Sequence, residues 1–374
     1  MEMTVPSSRT YYGSLQAGRA IAALLVVLFH NENAFCQKKY WGYDPTRGLF
    51  QFGHAGVEFF FVLSGFVILY IHSDDIDRPS LVGVYIRKRF QRVYIIYWLI
   101  LVVMLALYRI VPSLAEGYDR SSAIIVQSAL LWHALSPNPI YSGEKITVIA
   151  VAWTLYHEIL FYFAFAILIL NRRLGLAAFG FWFLGSVVSL VAPFTFPASF
   201  YLSPLHLLFG MGMAACWLVR SQRIRSPFWL TVAGSLLFLA CAMDENYSGL
   251  LPSHHRSLLY GLGSSIALVG LLTLEKQGRV RIAPILCLIG DASYAIYLTH
   301  VQSISVIDKG LLFLGARQLL PAGVSFSLAA ALAVSFGVAL HVFVERPMLR
   351  NLRSSASDTG VAGARACSYS APGA

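Results

Sequence analysis

Ten apolar runs, each about as long as a bilayer is thick, recur along this chain of 374 residues. They fall at about 15–34, 52–72, 93–111, 149–170, 174–193, 203–219, 228–243, 257–274, 283–305 and 323–344. At about 1.5 Å of rise per residue, roughly 20 helical residues cross a hydrocarbon core of about 30 Å. Backbone polar groups inside that core must pair within their own segment, so runs of this length predict helices. None alternates with period two, which sets aside an outer-membrane barrel. Charged residues make up 12% of the chain and hydrophobic ones 57%, with a mean hydropathy of +0.66; soluble domains carry about 25% charged residues. The expected fold is all-α, a polytopic integral membrane protein of about ten transmembrane helices.

The stretch 121–135 (SSAIIVQSALLWHAL) is apolar but too short to span, and fits an interfacial or re-entrant helix. Residues 1–350 form one transmembrane unit. From about Ser354 the chain turns rich in Ser, Ala and Gly without periodicity, so 351–374 is expected to be a disordered tail. The net charge of +10 could suggest nucleic acid in a soluble protein. Here the charges sit in short loops, and no basic-aromatic patch or finger spacing supports that partner. The five cysteines are scattered and give neither a disulfide framework nor a metal-ligand cluster.

Lysine and arginine counts orient the chain. With the N-terminus inside, 19 of the 28 fall on the cytoplasmic side and 9 outside. That bias puts both termini in the cytoplasm of a multi-pass protein of the plasma (inner) membrane. The first run, LQAGRAIAALLVVLFHNENA, lacks a small-residue cleavage site and is followed by further spans, so it reads as a retained helix rather than a signal peptide.

Depth follows from orientation. Arg19 and His30 lie eleven positions apart in the first span, about 16 Å along a helix. Arg19 can snorkel to the interface; His30 is too short and is expected to face protein or a wet cavity. Glu58 in the second span, Glu158 in the fourth and His300 in the ninth lie at comparable depth, so two histidines and two carboxylates could share one site. On the inner side Arg87, Lys88, Arg89 and Arg92 cluster, and Arg89 and Arg92 stand one turn apart, able to meet one phosphate. Each feature also has a plainer reading. Inner basic clusters are ordinary topology determinants, and a histidine in a span can simply be an interhelical contact. His133 and His157 read as structural or interfacial, Ser64 and Gly65 as close helix packing, and the Trp and Tyr near 94–98 and 153–156 as interfacial belts.

Taken together and in order, these motifs resemble the acyltransferase family 3 membrane proteins, which O-acylate sugars and other cell-surface molecules. LQAGRAIAALLVVLFH resembles the first block, with Arg19, ten positions and then His30. GHAGVEFFFVLSGFVI resembles the second, with Glu58 where the family often has Asp. RKRFQRVYIIYW resembles the arginine block, with Lys88 where a third arginine is common. AWTLYHEILFY, LIGDASYAIYLTH and VERP resemble later blocks, so the likeness runs from about residue 14 to 348. No extracytoplasmic SGNH-type domain is attached, which suggests a stand-alone form. The first and fourth blocks look most like enzymes that decorate exopolysaccharide.

The resemblance implies an O-acetyltransferase that moves an acyl group, usually acetyl, from acetyl-CoA to a hydroxyl of a polysaccharide or its lipid-linked precursor, without a metal. It implies His30 as catalytic base or transient acyl carrier, with Glu158 or Glu58 orienting the ring. Arg89, Arg92, Arg19 and Lys88 would hold the phosphates of CoA, which suit bidentate guanidinium contacts. His300, Trp153 and Tyr297 would lie on the acceptor side. Two other classes remain open: a proton-coupled transporter and a polysaccharide flippase or export protein. The first should show internal symmetry or broken helices; the second needs no CoA site.

Overall fold

A computed structural model of the chain describes residues 12–112, 121–132, 147–221 and 224–351. His133 and the tail beyond Asn351 lie outside the described residues. Every described element is helical. The first five are α1 (Gly13–Phe35), α2 (Gly56–His72), α3 (Val82–Ile110), the short α4 (Ser122–Leu130) and α5 (Trp153–Leu170). There follow α6 (Arg172–Val188), one turn at α7 (Ala198–Tyr201), α8 (His206–Ser221), α9 (Pro227–Met243) and α10 (Ser253–Lys276). The chain closes with α11 (Pro284–Asp291), α12 (Ser293–Phe313), the single turn α13 (Ala316–Leu319) and α14 (Ala322–Leu340).

Each of the ten expected runs is a helix, but they are not equivalent. Among the described residues, eight helical segments are long and apolar enough to cross a membrane. The ninth run is broken: α11 and α12 meet at 69°, the geometry of a broken span or of a re-entrant loop. The run at 174–193 becomes α6, whose 17 residues sit at the short end of the range that can cross. Stretch 121–135 shortens to α4, capped by the Ser121 hydroxyl on the Ile124 amide. Large apolar side chains such as Val102, Phe181, Trp229 and Leu236 cover the outside of the bundle, as a lipid-facing wall requires.

Close packing inside the bundle depends on small residues. Gly65 of α2 and Gly212 of α8 face each other's helices so tightly that a Cβ on either would overlap the carbonyl of Phe209 or of Val62. In hydrocarbon, helices gain little from burying apolar surface, so backbone approach of this kind supplies the association. Gly212→Ala should therefore lower stability by about 1–3 kcal/mol. The check is the thermal midpoint in detergent, with Gly180→Ala, which has open space beside it, expected to leave the midpoint unchanged.

Buried Glu32, two residues past His30, ties down the loop that follows α1. It accepts from Thr46, from the Phe50 amide at 3.2 Å and from the Gln51 side chain at 2.6 Å. The same loop is fixed to α12 by Trp41 donating to Asp308 at 3.1 Å and by Tyr40 against Ser305 at 2.6 Å. The end of the bundle that carries His30 is thus built, not open.

Candidate active site

Three arginines from two helices converge at one end of the bundle. Arg92 of α3 lies 3.2 Å from the fully buried carboxylate of Glu345, which also takes a bond from His341 at 2.8 Å. Its guanidinium stands over the Tyr294 ring, 5.4 Å from the centroid. One turn earlier, Arg89 donates to His72 Nε2 at 3.3 Å. His72 in turn sets Nδ1 on Asp75 at 2.6 Å, so its Nε2 is the acceptor. Arg89 Nε is buried and has no hydrogen-bond partner among the described residues. Arg19 of α1 donates from Nε to Ser293 at 3.0 Å, which the break between α11 and α12 makes possible by starting a new helix there. Lys88 is exposed, apart from this convergence.

All three arginines line a cavity of about 140 Å³ that runs into the bundle. Glu158 faces it from α5, held by the hydroxyls of Ser64 at 2.9 Å and Tyr162 at 2.5 Å. Ser64 thus does more than permit close packing, a task that falls to Gly65. The cavity reaches Tyr297, whose hydroxyl bonds Thr154 at 3.0 Å and the Val151 carbonyl at 3.1 Å. An arginine-lined mouth with one carboxylate beyond it suits an anion whose uncharged part extends inward.

Just past Tyr297, one turn along α12, lies His300, with ring centroids 5.8 Å apart. His300 Nδ1 lies 2.7 Å from the Tyr297 carbonyl, so that nitrogen carries the proton and Nε2 is free to accept. His30 Nδ1 sits 2.9 Å from the Val26 carbonyl and 3.2 Å from His300 Nε2. A single N–H at His30 Nδ1, shared between those two acceptors, satisfies every distance. The other nitrogen, His30 Nε2, then holds the lone pair a general base needs.

Neither Glu158 nor Glu58 meets His30 by hydrogen bond. The side chain that meets His30 is His300 and not a carboxylate; the His-carboxylate pattern names residue types and cannot say which helices touch. Glu58 belongs instead to a cluster at the far end. Its Oε1 accepts from Ser257 at 2.9 Å and lies 3.7 Å from His54, while Oε2 is buried without a partner among the described residues. His54 also bonds Glu245 at 2.7 Å, and Glu245 accepts from Tyr260 at 2.8 Å. Phe29 separates His54 from His30, its ring 5.6 Å from one and 4.9 Å from the other. Trp153 stands edge-on to His157, 5.9 Å away, and away from the cavity wall. The His54–Glu58 and His341–Glu345 pairs could be seen in the sequence as i,i+4 spacings; Glu245 could not. Among the described residues, no three His, Cys, Asp or Glu side chains are placed to hold a metal.

A charged cavity inside a helical membrane bundle, with a wall that reaches Tyr297 one turn before the His300–His30 pair, is what a membrane-embedded group-transfer enzyme requires. Comparison gives the family. The acyltransferase domain profile matches residues 12–340, and the chain belongs to that family of membrane acyltransferases. It is 33% identical over 332 residues to the exopolysaccharide production protein ExoZ of Rhizobium meliloti (strain 1021), covering 86% of this chain and 97% of that one. It is 28% identical over 338 residues to the acyltransferase MdmB of Streptomyces mycarofaciens, covering 80% and 82%. No solved structure matches it significantly.

Proposed function

We propose that this enzyme takes an acyl group, acetyl in the simplest case, from acyl-CoA and places it on a hydroxyl of a cell-surface polysaccharide or its lipid-linked precursor. The observation that carries the reading is the cavity that runs from Arg19, Arg89 and Arg92 to Tyr297, whose neighbour one turn on, His300, meets His30. CoA brings phosphates at one end and a thioester on a long flexible arm at the other. The guanidinium groups of Arg19, Arg89 and Arg92, all on the cavity wall, fit the phosphate end. A cavity of about 140 Å³ is too small for the whole of CoA. The nucleotide therefore stays at the arginine mouth, and only the arm enters, past Glu158 towards Tyr297. The likeness to a protein named for exopolysaccharide production supports the choice of acceptor.

In the transfer step, His30 Nε2 removes the acceptor's hydroxyl proton as that oxygen attacks the thioester carbonyl. The tetrahedral intermediate collapses by breaking the carbon–sulfur bond, and the imidazolium returns its proton to the leaving thiolate. His300 keeps the His30 proton on Nδ1 throughout, so the reactive nitrogen stays the same. In a second version of the same reading, His30 itself takes the acyl group before passing it on.

Direction follows from charge. The arginine mouth opens to the cytoplasm of the inner membrane, with both termini on that side, and the Glu32-tied loop faces outward. Membrane-impermeant thiol labelling should mark a cysteine placed at Gly42 and miss one at Arg87; the opposite pattern overturns the orientation. The function is tested with purified protein in nanodiscs. Acetyl-CoA should be consumed with free thiol released, and NMR of the cell's polysaccharide should lose acetyl signals when the gene is deleted. A transporter would leave the thioester intact, even though the broken α11–α12 span is a feature some transporters share.

A further inference from the structure

A second cavity, of about 120 Å³, opens sideways between α3 and α5. Its rim is Ile86, Phe90 and Phe163, exposed by 43%, 41% and 53%, so it faces where hydrocarbon chains lie. Ile159 forms part of the wall, and Arg89 and Tyr162 close the inner side. Both of those residues also line the main cavity, so one guanidinium separates a lipid-facing groove from the site of transfer.

A guanidinium at the floor of an apolar groove is costly alone, and the Tyr85 and Tyr162 rings, with centroids 6.0 and 5.8 Å from that of Arg89, offset only part of the cost. Arg89 has no carboxylate within salt-bridge distance among the described residues. Its hydrogen bond goes to the neutral ring of His72, and its Nε is buried and unpaired among those residues. The exposed cations Arg87 and Lys88 on the same turn add positive potential at this end. Phosphate is the anion a membrane supplies in quantity at that depth, and it arrives attached to the kind of chain the rim would accept.

We infer that the α3–α5 groove binds an anionic phospholipid, with one acyl chain along Ile86, Phe90 and Phe163 and the headgroup phosphate on Arg89. The ligand differs from the proposed acyl donor, but Arg89 lines both cavities, so lipid and donor would meet the same guanidinium. An acyl chain covers the exposed rim, and the phosphate gives the Arg89 guanidinium an anionic partner where it closes the groove.

Native mass spectrometry of the purified protein tests the proposal, using phosphatidylglycerol and phosphatidylcholine of equal chain length. The wild type should retain phosphatidylglycerol about tenfold better, the worth of one charge-assisted hydrogen bond. Arg89→Gln should bring the two lipids near parity, and Arg89→Lys should keep part of the preference. Ile86→Trp, a substitution at an exposed position that fills the groove, should reduce retention of both. Gln at Arg87 or Lys88 should change little. Equal retention of the two lipids by the wild type overturns the proposal. So does a preference unaffected by Ile86→Trp and Arg89→Gln, which would describe a diffuse charge effect. Polyprenyl phosphate displacing phosphatidylglycerol at equal concentration would also overturn it, assigning the groove to a lipid-linked substrate.

Discussion

Replacing His30 by alanine is expected to cut acceptor acylation by roughly a hundredfold to ten-thousandfold, the range a positioned general base supplies. Binding of acyl-CoA should stay near normal, because Arg19 lies about three turns away along α1 and lines one cavity with Arg89 and Arg92. His30→Gln should fail equally, since its amide nitrogen offers no lone pair to a proton. The structure adds a graded companion. His300→Ala removes one of two acceptors of the His30 Nδ1 proton and leaves the Val26 carbonyl in place. Its loss of rate should be clearly smaller than that of His30→Ala, with the affinity for the acceptor little changed. If His300 instead binds the acceptor, its variant will raise the acceptor KM. Labelled acyl-CoA without acceptor distinguishes the base from an acyl carrier, because only the latter leaves label on wild-type protein. A well-folded His30→Ala protein that retains more than about a tenth of the wild-type rate excludes both roles.

Arg92→Ala should produce two separable losses. The first is donor affinity, lower by about tenfold to a hundredfold for one missing charge-assisted phosphate contact. The second is stability, because Glu345 is fully buried and loses its cation. Breaking a buried pair by removing one partner costs about 3–5 kcal/mol; Arg92 is partly exposed, which places the effect at the lower end. The double variant Arg92→Ala with Glu345→Gln should recover much of the stability and none of the donor affinity. Arg89→Ala, with no carboxylate partner to strand, should lose affinity with little change in thermal midpoint. Isothermal titration with CoA and a melting curve for each protein separate these cases. If both alanine variants bind CoA normally, the arginines serve orientation in the membrane and not the donor.

Much of the site is legible in the chain itself. Arg89 and Arg92 sit one turn apart on a helix whose boundaries follow from hydropathy, so their shared direction is a matter of the helical period. Arg19 and His30 are separated along α1 by a fixed rise per residue. His300 falls at the depth of His30, because both spans have ends set by the same bilayer. Glu345 is visible only as part of a motif, and its role as counter-ion to Arg92 joins residues 253 positions apart. His54 and Glu245 form a bonded pair across 191 positions. Such pairings depend on which helices are neighbours, and periodicity carries no information about that.

Hydropathy settles the class of molecule: apolar runs of bilayer length leave a helical bundle as the only way to pair the backbone in hydrocarbon. It also settles the depth of each polar residue, because helical rise and span ends convert position into height. The lateral partners come from the packed bundle alone. Packing gave Glu158 to Ser64 and Tyr162 and Glu58 to His54 and Ser257, and left His30 to His300. It also broke the ninth span at Asp291 and Ser293, which brought Ser293 to Arg19. The physical reason is that depth is a property of one helix and its solvent. Rotation and neighbour are settled by where glycines such as Gly65 and Gly212 let backbones approach, a sum over contacts that no single stretch of sequence contains.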